Sequence, residues 1–102
     1  MQTHPAKRVE ITIEAPMERR LREALDEAEI GGYTILPVLG GSGRSGPWTR
    51  DGQLGRSGMV QFICIIRPER LDGLLDAAFA VVERHIGVVT ITDAHVLRAE
   101  RF

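Results

Sequence analysis

The residues in this chain best equipped for chemistry are arginines and glycines rather than acids, thiols or imidazoles. From Gly40 to Gly58 the sequence reads GGSGRSGPWTRDGQLGRSG. Gly40, Gly41, Gly43, Gly46, Gly52, Gly55 and Gly58 are seven of the chain's 11 glycines. Arg44, Arg50 and Arg56 are spaced through the stretch, with Asp51 and the single tryptophan, Trp48. Consecutive glycines allow backbone N–H groups to converge on an anion. Arginine adds a forked set of donors matched to phosphate oxygens. Arg98 and Arg101, near the end of the chain, supply the same donors. The chemistry these residues point to is anion binding, with a plain flexible linker as the competing reading.

Other chemistries find little support. No Ser-His-Asp set with a strained elbow, no H-E-x-x-H and no pair of buried carboxylates stands out. His4, His85, His95 and Cys64 share no metal-ligand spacing, so the histidines read as structural or surface groups and Cys64 as a small core hydrophobe. Asp93 reads as a turn former at a strand end. Trp48 has two readings, docking onto a neighbouring subunit or anchoring a partner protein beside Arg50.

The elements that must position these groups follow from periodicity. Arg8–Glu14 alternates strictly, with Val9, Ile11 and Ile13 on one side, and predicts a half-buried strand. Met1–Ala6 has no pattern and predicts a frayed terminus, although His4-Pro5 could begin that strand. Pro16 opens a helix whose apolar stripe is Met17, Leu21, Ala24, Leu25 and Ala28, closed by Gly31-Gly32 as a left-handed cap. Tyr33–Leu39 predicts a second strand, with Pro37 marking an edge or bulge. Gly40–Gly58 shows neither period and predicts a loop that is mobile alone and orders on binding. Met59–Ile66 is a third strand, apolar on both faces apart from Gln61. A second helix runs from Pro68 with Leu71, Leu74, Leu75, Ala78, Val82 and Ile86 inward, ending at Gly87. Val88–Thr92 is the fourth strand, and Asp93–Phe102 a tail that could add a fifth.

At 102 residues with 43% hydrophobic content and a formal net charge of −1, the chain predicts one soluble domain, 1–102. The balanced charge argues against a general nucleic-acid binder. One cysteine, no signal peptide and no apolar run near the ~20 residues of a membrane span point to a cytoplasmic home. Twelve of the 13 basic residues are arginine, read as base-composition bias.

The order β-α-β-loop-β-α-β predicts an α+β ferredoxin-like βαββαβ sandwich, two helices on one face of a four-stranded antiparallel sheet. The apolar second face of Met59–Ile66 predicts that something covers the other sheet face, and self-association is the economical cover.

A βαββαβ chain of this size with a long loop between strands two and three resembles the PII signal-transduction superfamily, where the loop is called the T-loop. GGYTILPVLGGSGRSG is similar to that family's segment in which a Gly-hydrophobic-Thr strand runs into a G-x-G-R loop start. The SGRSGPW core and the lack of a Lys-rich loop resemble the PII-like proteins associated with bicarbonate transport and carboxysomes. The resemblance implies a homotrimer that binds an adenine nucleotide in the cleft between subunits and controls a transporter or carbon-metabolism enzyme through its T-loop, without catalysis. The matching nucleotide-binding positions are Thr34, Gly40, Gly41, Gly43 and Arg44 at the loop base, Gly87, Val88, Val89 and Thr90 at the turn into the fourth strand, and the C-terminal pair Arg98 and Arg101. The tight, lysine-free Ile86-Gly87-Val88 departs from the family's phosphate-binding loop and weighs against a triphosphate. ADP or AMP is therefore the expected ligand, with ATP, cyclic AMP and bicarbonate as further candidates, and no metal or other cofactor. A loop tyrosine and a tail cysteine pair found in the family are also missing here. The alternatives are a CutA-like trimeric metal-tolerance protein, which lacks so long a Gly/Arg loop, and a small dimeric-barrel enzyme, for which no acid–base pair stands out.

Overall fold

The computed structural model describes residues 1–44, 46–49, 58–98 and 100, with the side chains of Trp48 and Thr49 outside that description. The elements follow in the order β1 (His4–Glu14), α1 (Glu18–Glu27), β2 (Tyr33–Val38), β3 (Gly40–Gly43), β4 (Gly46–Thr49), β5 (Met59–Ile66), α2 (Leu71–Val82) and β6 (Gly87–Val96). Short 3-10 turns at Ala15–Met17 and Pro68–Arg70 lead into the two helices, each carrying its proline where a missing N–H costs nothing.

β2, β5, β1 and β6 form one four-stranded sheet in that spatial order, with every pairing antiparallel. This is the predicted α+β ferredoxin-like arrangement. Alternation decides which face is dry. Val9, Ile11 and Ile13 of β1 and Val60, Phe62, Cys64 and Ile66 of β5 are buried, together with Leu21 and Leu25 of α1 and Leu74, Ala78, Val81 and Val82 of α2. Phe62 is fully buried at the centre and its ring lies 5.6 Å from that of Tyr33. The opposite face carries Leu36, Met59, Ile63 and Ile65 beside a polar strip on β1. In that strip Arg8 pairs with Glu10, and Gln61 Nε2 donates to Thr12 Oγ1 at 3.1 Å and to Glu10 Oε1 at 3.5 Å.

Several expectations are corrected. The stretch after β2 is not wholly irregular: β3 and β4 pair as a hairpin of their own, closed at Gly43 and Gly46, with Gly46 at φ 103°. Glycine carries no side-chain periodicity, so the pattern was silent there. Residues 50–57, the middle of the predicted loop, lie outside the described residues. The left-handed cap of α1 is Glu29 (φ 62°), not Gly31-Gly32. Glu29 N–H donates to Asp26 O and Ile30 N–H to Leu25 O, the paired bonds of a Schellman motif, and buried Ile30 is its apolar plug. Arg70 Nη2 then caps the carbonyls of Ala28 and Glu29 at 2.9 and 3.0 Å.

β1 begins at His4, as the His4-Pro5 alternative allowed, so His4–Ala6 pair with β6 and only Met1–Thr3 precede the strand. The fourth strand of the sheet continues to Val96, and among the described residues no separate fifth strand follows from Asp93. Asp93 sits inside β6 opposite Lys7, whose Nζ donates to its Oδ1 at 2.6 Å, so it is a cross-strand partner and not a turn former. α2 stops at Val82, which leaves Ile86 beyond the helix and 48% exposed instead of on its buried stripe.

Candidate ligand-binding site

The site must be assembled from the end of the sheet where β1 stops and β6 starts. Gly58, at φ 87°, brings the chain back into β5, and its carbonyl accepts Ala15 N–H at 2.9 Å. One residue earlier, Glu14 Oε1 accepts Ile86 N–H at 3.1 Å and lies 3.8 Å from His85 Nδ1. Gly87 follows, opposite Ile13 in the ladder. A Cβ at Gly87 would stand 3.1 Å from Thr12 O and 3.5 Å from the Val82 side chain. The turn into β6 is therefore packed directly against the backbone of β1.

The predicted nucleotide-binding residues fall into three groups. Thr34 is exposed on β2, and Gly40, Gly41, Gly43 and Arg44 are exposed on the hairpin that follows. Gly87, Val88, Val89 and Thr90 open β6. Thr34 and Thr90 occupy one cross-strand row, Thr34–Ile63–Glu10–Thr90, but at its two ends. Three interstrand spacings separate them, ~14 Å. Arg98 is exposed past the far end of β6, its Nε 3.4 Å from Glu100 Oε1. Val96 alone is six residues beyond Thr90 in extended strand, ~20 Å. One chain thus brings the loop base and the β6 turn to the same end of the sheet on opposite edges, and leaves Arg98 at the other end. Arg50 and Arg101 lie outside the described residues. Trp48 pairs with Gly41 through the backbone of the hairpin.

Sequence reasoning missed Glu14. It reads as one more polar residue of an alternating strand, and nothing in its neighbours announces an acceptor for a backbone N–H 72 residues away.

Among the described residues two titratable groups are shifted. The hydrogen bond from Lys7, and then its charge, hold the Asp93 carboxyl below its usual range. Burial pushes the Cys64 thiol up to about 11, as befits an inert core thiol. Among the described residues no three His, Cys, Asp or Glu gather as metal ligands, and no helix is long and apolar enough to cross a membrane.

The family model described as nitrogen regulatory protein P-II matches residues 6–101. The chain belongs to the P-II family. Among solved structures, this P-II protein is similar to CPII, a nitrogen regulatory PII-like protein from Thiomonas intermedia K12 bound to ADP, AMP and bicarbonate. The TM-score is 0.86 at 28% identity, with 99% of this chain and 96% of that one covered. A second CPII structure, bound to ADP and bicarbonate, is 31% identical with a TM-score of 0.84, covering 99% and 97% of the two chains. A putative PII-like signaling protein from Thermus thermophilus shares the fold at 23% identity and a TM-score of 0.76, over 100% and 99% of the chains. No curated protein sequence matches this one.

Proposed function

We propose that this P-II family protein is a non-enzymatic regulator that binds ADP or AMP, with bicarbonate as a second ligand, between the subunits of a homotrimer. The observation that carries the reading is the placement of the candidate residues. The loop base (Thr34, Gly40, Gly41, Gly43, Arg44) and the β6 turn (Gly87 to Thr90) share one end of the sheet but sit on opposite edges. A second copy set beside the first brings one chain's loop base against its neighbour's β6 turn. CPII, with the same fold, is the relative bound to ADP, AMP and bicarbonate. The half-exposed apolar residues of the helix-free face, Leu36, Met59, Ile63 and Ile65, give association a driving force.

In this reading Arg98 and Arg101 bind phosphate, and the segment after Gly40, with Trp48 and Arg50, docks on a transporter or carbon-metabolism enzyme in the cytoplasm. The turn from Glu83 to Val88 contains no lysine, which favours di- and monophosphate over triphosphate. Calorimetric titration with AMP, ADP, ATP and cyclic AMP, with and without bicarbonate, tests the ligand, and light scattering tests the assembly. We expect a trimer that binds ADP or AMP most tightly. Arg98→Ala and Arg101→Ala should each weaken binding about tenfold or more, the loss of one charge-assisted contact. A stable monomer at micromolar concentration, or no heat with any of the four nucleotides, refutes the reading.

A further inference from the structure

Two segments of the chain meet at the end of β1. The segment leaving the hairpin region returns at Gly58 and is pinned by Ala15 N–H, 2.9 Å from Gly58 O. The turn between α2 and β6 is pinned by Ile86 N–H, 3.1 Å from Glu14 Oε1, with His85 Nδ1 3.8 Å from the same oxygen. Glu14 and Ala15 are consecutive, so one pin is the N–H of the peptide that joins them and the other is the carboxylate of the first of the two, both at the end of β1. The turn has no slack on its other side. Gly87 already sits so close to β1 that a single added carbon would come within 3.1 Å of Thr12 O. α2 ends at Val82, so residues 83–86 have no helical bonds of their own beyond Glu83 N–H to Phe79 O and His85 N–H to Val82 O. The Ile86 N–H donates to Glu14 Oε1.

From this we propose that Glu14 is a positioning residue that couples the loop exit at Gly58 to the turn entering β6 at Ile86–Gly87. A ligand that draws on the Gly87–Thr90 backbone tightens the Ile86–Glu14 bond. The adjoining Ala15–Gly58 bond tightens with it, because the Glu14 side chain and the Ala15 N–H leave the chain at neighbouring backbone atoms. Glu14 itself touches no ligand. Its role rests on the nucleotide-binding reading for its use, but the coupling has a structural readout of its own.

The experiment compares the wild type, Glu14→Ala, Glu14→Gln and the control Glu23→Gln, an exposed residue of α1 remote from this corner. Amide hydrogen exchange at Ile86 and Ala15 is followed by NMR, with and without ADP, alongside ADP affinity by calorimetry. Gln keeps an Oε1 acceptor and loses only the charge, so it separates the hydrogen bond from the carboxylate. Glu14→Ala is expected to speed Ile86 exchange about fivefold to tenfold, the worth of one net hydrogen bond, to weaken ADP to a similar degree, and to abolish the slowing of Ala15 exchange by ADP. Glu14→Gln should restore all three to within about threefold, and Glu23→Gln should match the wild type. Unchanged Ile86 exchange in Glu14→Ala overturns the proposal. So does a Glu14→Gln variant as impaired as Glu14→Ala, or an Ala15 amide that still responds fully to ADP in Glu14→Ala. If the wild type binds no ADP, the nucleotide reading fails by itself, and Glu14 is then judged on the exchange at Ile86 and Ala15 without ligand, where Glu14→Ala should speed both and Glu14→Gln neither.

Discussion

Replacing glycine by alanine should have opposite effects at two positions 14 residues apart, and the structure says which is which. Gly73 lies exposed within α2, and a Cβ there meets nothing within 4 Å. Alanine at this site removes backbone freedom from the unfolded chain and adds helix propensity, worth ~0.5–1 kcal/mol. Its place in the first turn of α2 puts it at the lower end of that range. Gly87 gains the same unfolded-state benefit, but its new Cβ comes within 3.1 Å of Thr12 O. That oxygen belongs to β1, the central strand held by β5 on one side and β6 on the other, so it cannot retreat alone. The Val82 side chain, 3.5 Å away, is in ordinary contact and blocks a shift towards α2. Overpacking of this kind costs ~1–3 kcal/mol, which leaves a net loss of ~0.5–2 kcal/mol after the entropic gain. With ~4–8 °C per kcal/mol for a chain of this size, thermal unfolding followed by circular dichroism should show Gly73→Ala raised by a few degrees and Gly87→Ala lowered by several. Shifts of the same sign would refute the argument, because the contact with Thr12 O is what reverses the sign at Gly87.

Further substitutions address the remaining contacts. Glu29→Gly should stabilise by up to ~1 kcal/mol in urea unfolding, since left-handed backbone costs a side-chain-bearing residue ~1–2 kcal/mol and glycine returns only part of that as entropy. Phe62→Ala should cost ~3–5 kcal/mol, because the ring is fully buried between both helices and the sheet. The Cys64 thiol, buried and raised to about 11, should resist a disulfide reagent at pH 8 in the folded protein, and its labelling rate should rise sharply in Phe62→Ala as the core opens more often. Asp93 is held below the usual carboxylate range by Lys7, so its pairing contributes to stability above the unfolded value of about 4 and is lost as pH falls through the folded value. Stability measured against pH should therefore fall less steeply below pH ~4 in Asp93→Asn than in the wild type.

The sheet and helices were legible because their residues carry side chains with a period. Val9, Ile11 and Ile13 alternate and are buried, and Leu21 and Leu25 stand a helical turn apart and are buried. Val60, Phe62, Cys64 and Ile66 separated cleanly from Met59, Ile63 and Ile65, as two-sided apolar content requires. The misses fall where side chains say nothing. Gly40, Gly41 and Gly43 pair as strand without any pattern to announce it. Glu29 takes the left-handed cap although two glycines stand just beyond it, because Ile30 must reach the core one residue after the turn. Asp93 looked like the end of a strand until Lys7, 86 positions earlier, was placed across from it. A partner distant in sequence outweighed local preference at Asp93, whereas the hairpin and the Glu29 cap are local arrangements that the side-chain pattern does not record.

For the candidate site, the sequence offered residue types but not their relative positions. Arginines and glycines suggested an anion chemistry by their type, whereas the distance between Thr34 and Thr90 depends on strand order alone. In the order β2-β5-β1-β6 the two outer strands are those that hold the candidate residues, and they differ in length and chemistry. β2 has six residues and contains Pro37, which cannot donate from its backbone. β6 has ten residues, with exposed Val88 and Ile91 along it. An edge with proline is protected from strand pairing, while a long edge with apolar side chains calls for cover. The asymmetry suits a contact between unlike edges, one copy's loop-bearing side against the next copy's β6. Contacts between unlike surfaces build rings where the rotation closes and open filaments where it does not, so the strand order that separates Thr34 from Thr90 in a single chain is compatible with the ring-shaped assembly proposed above.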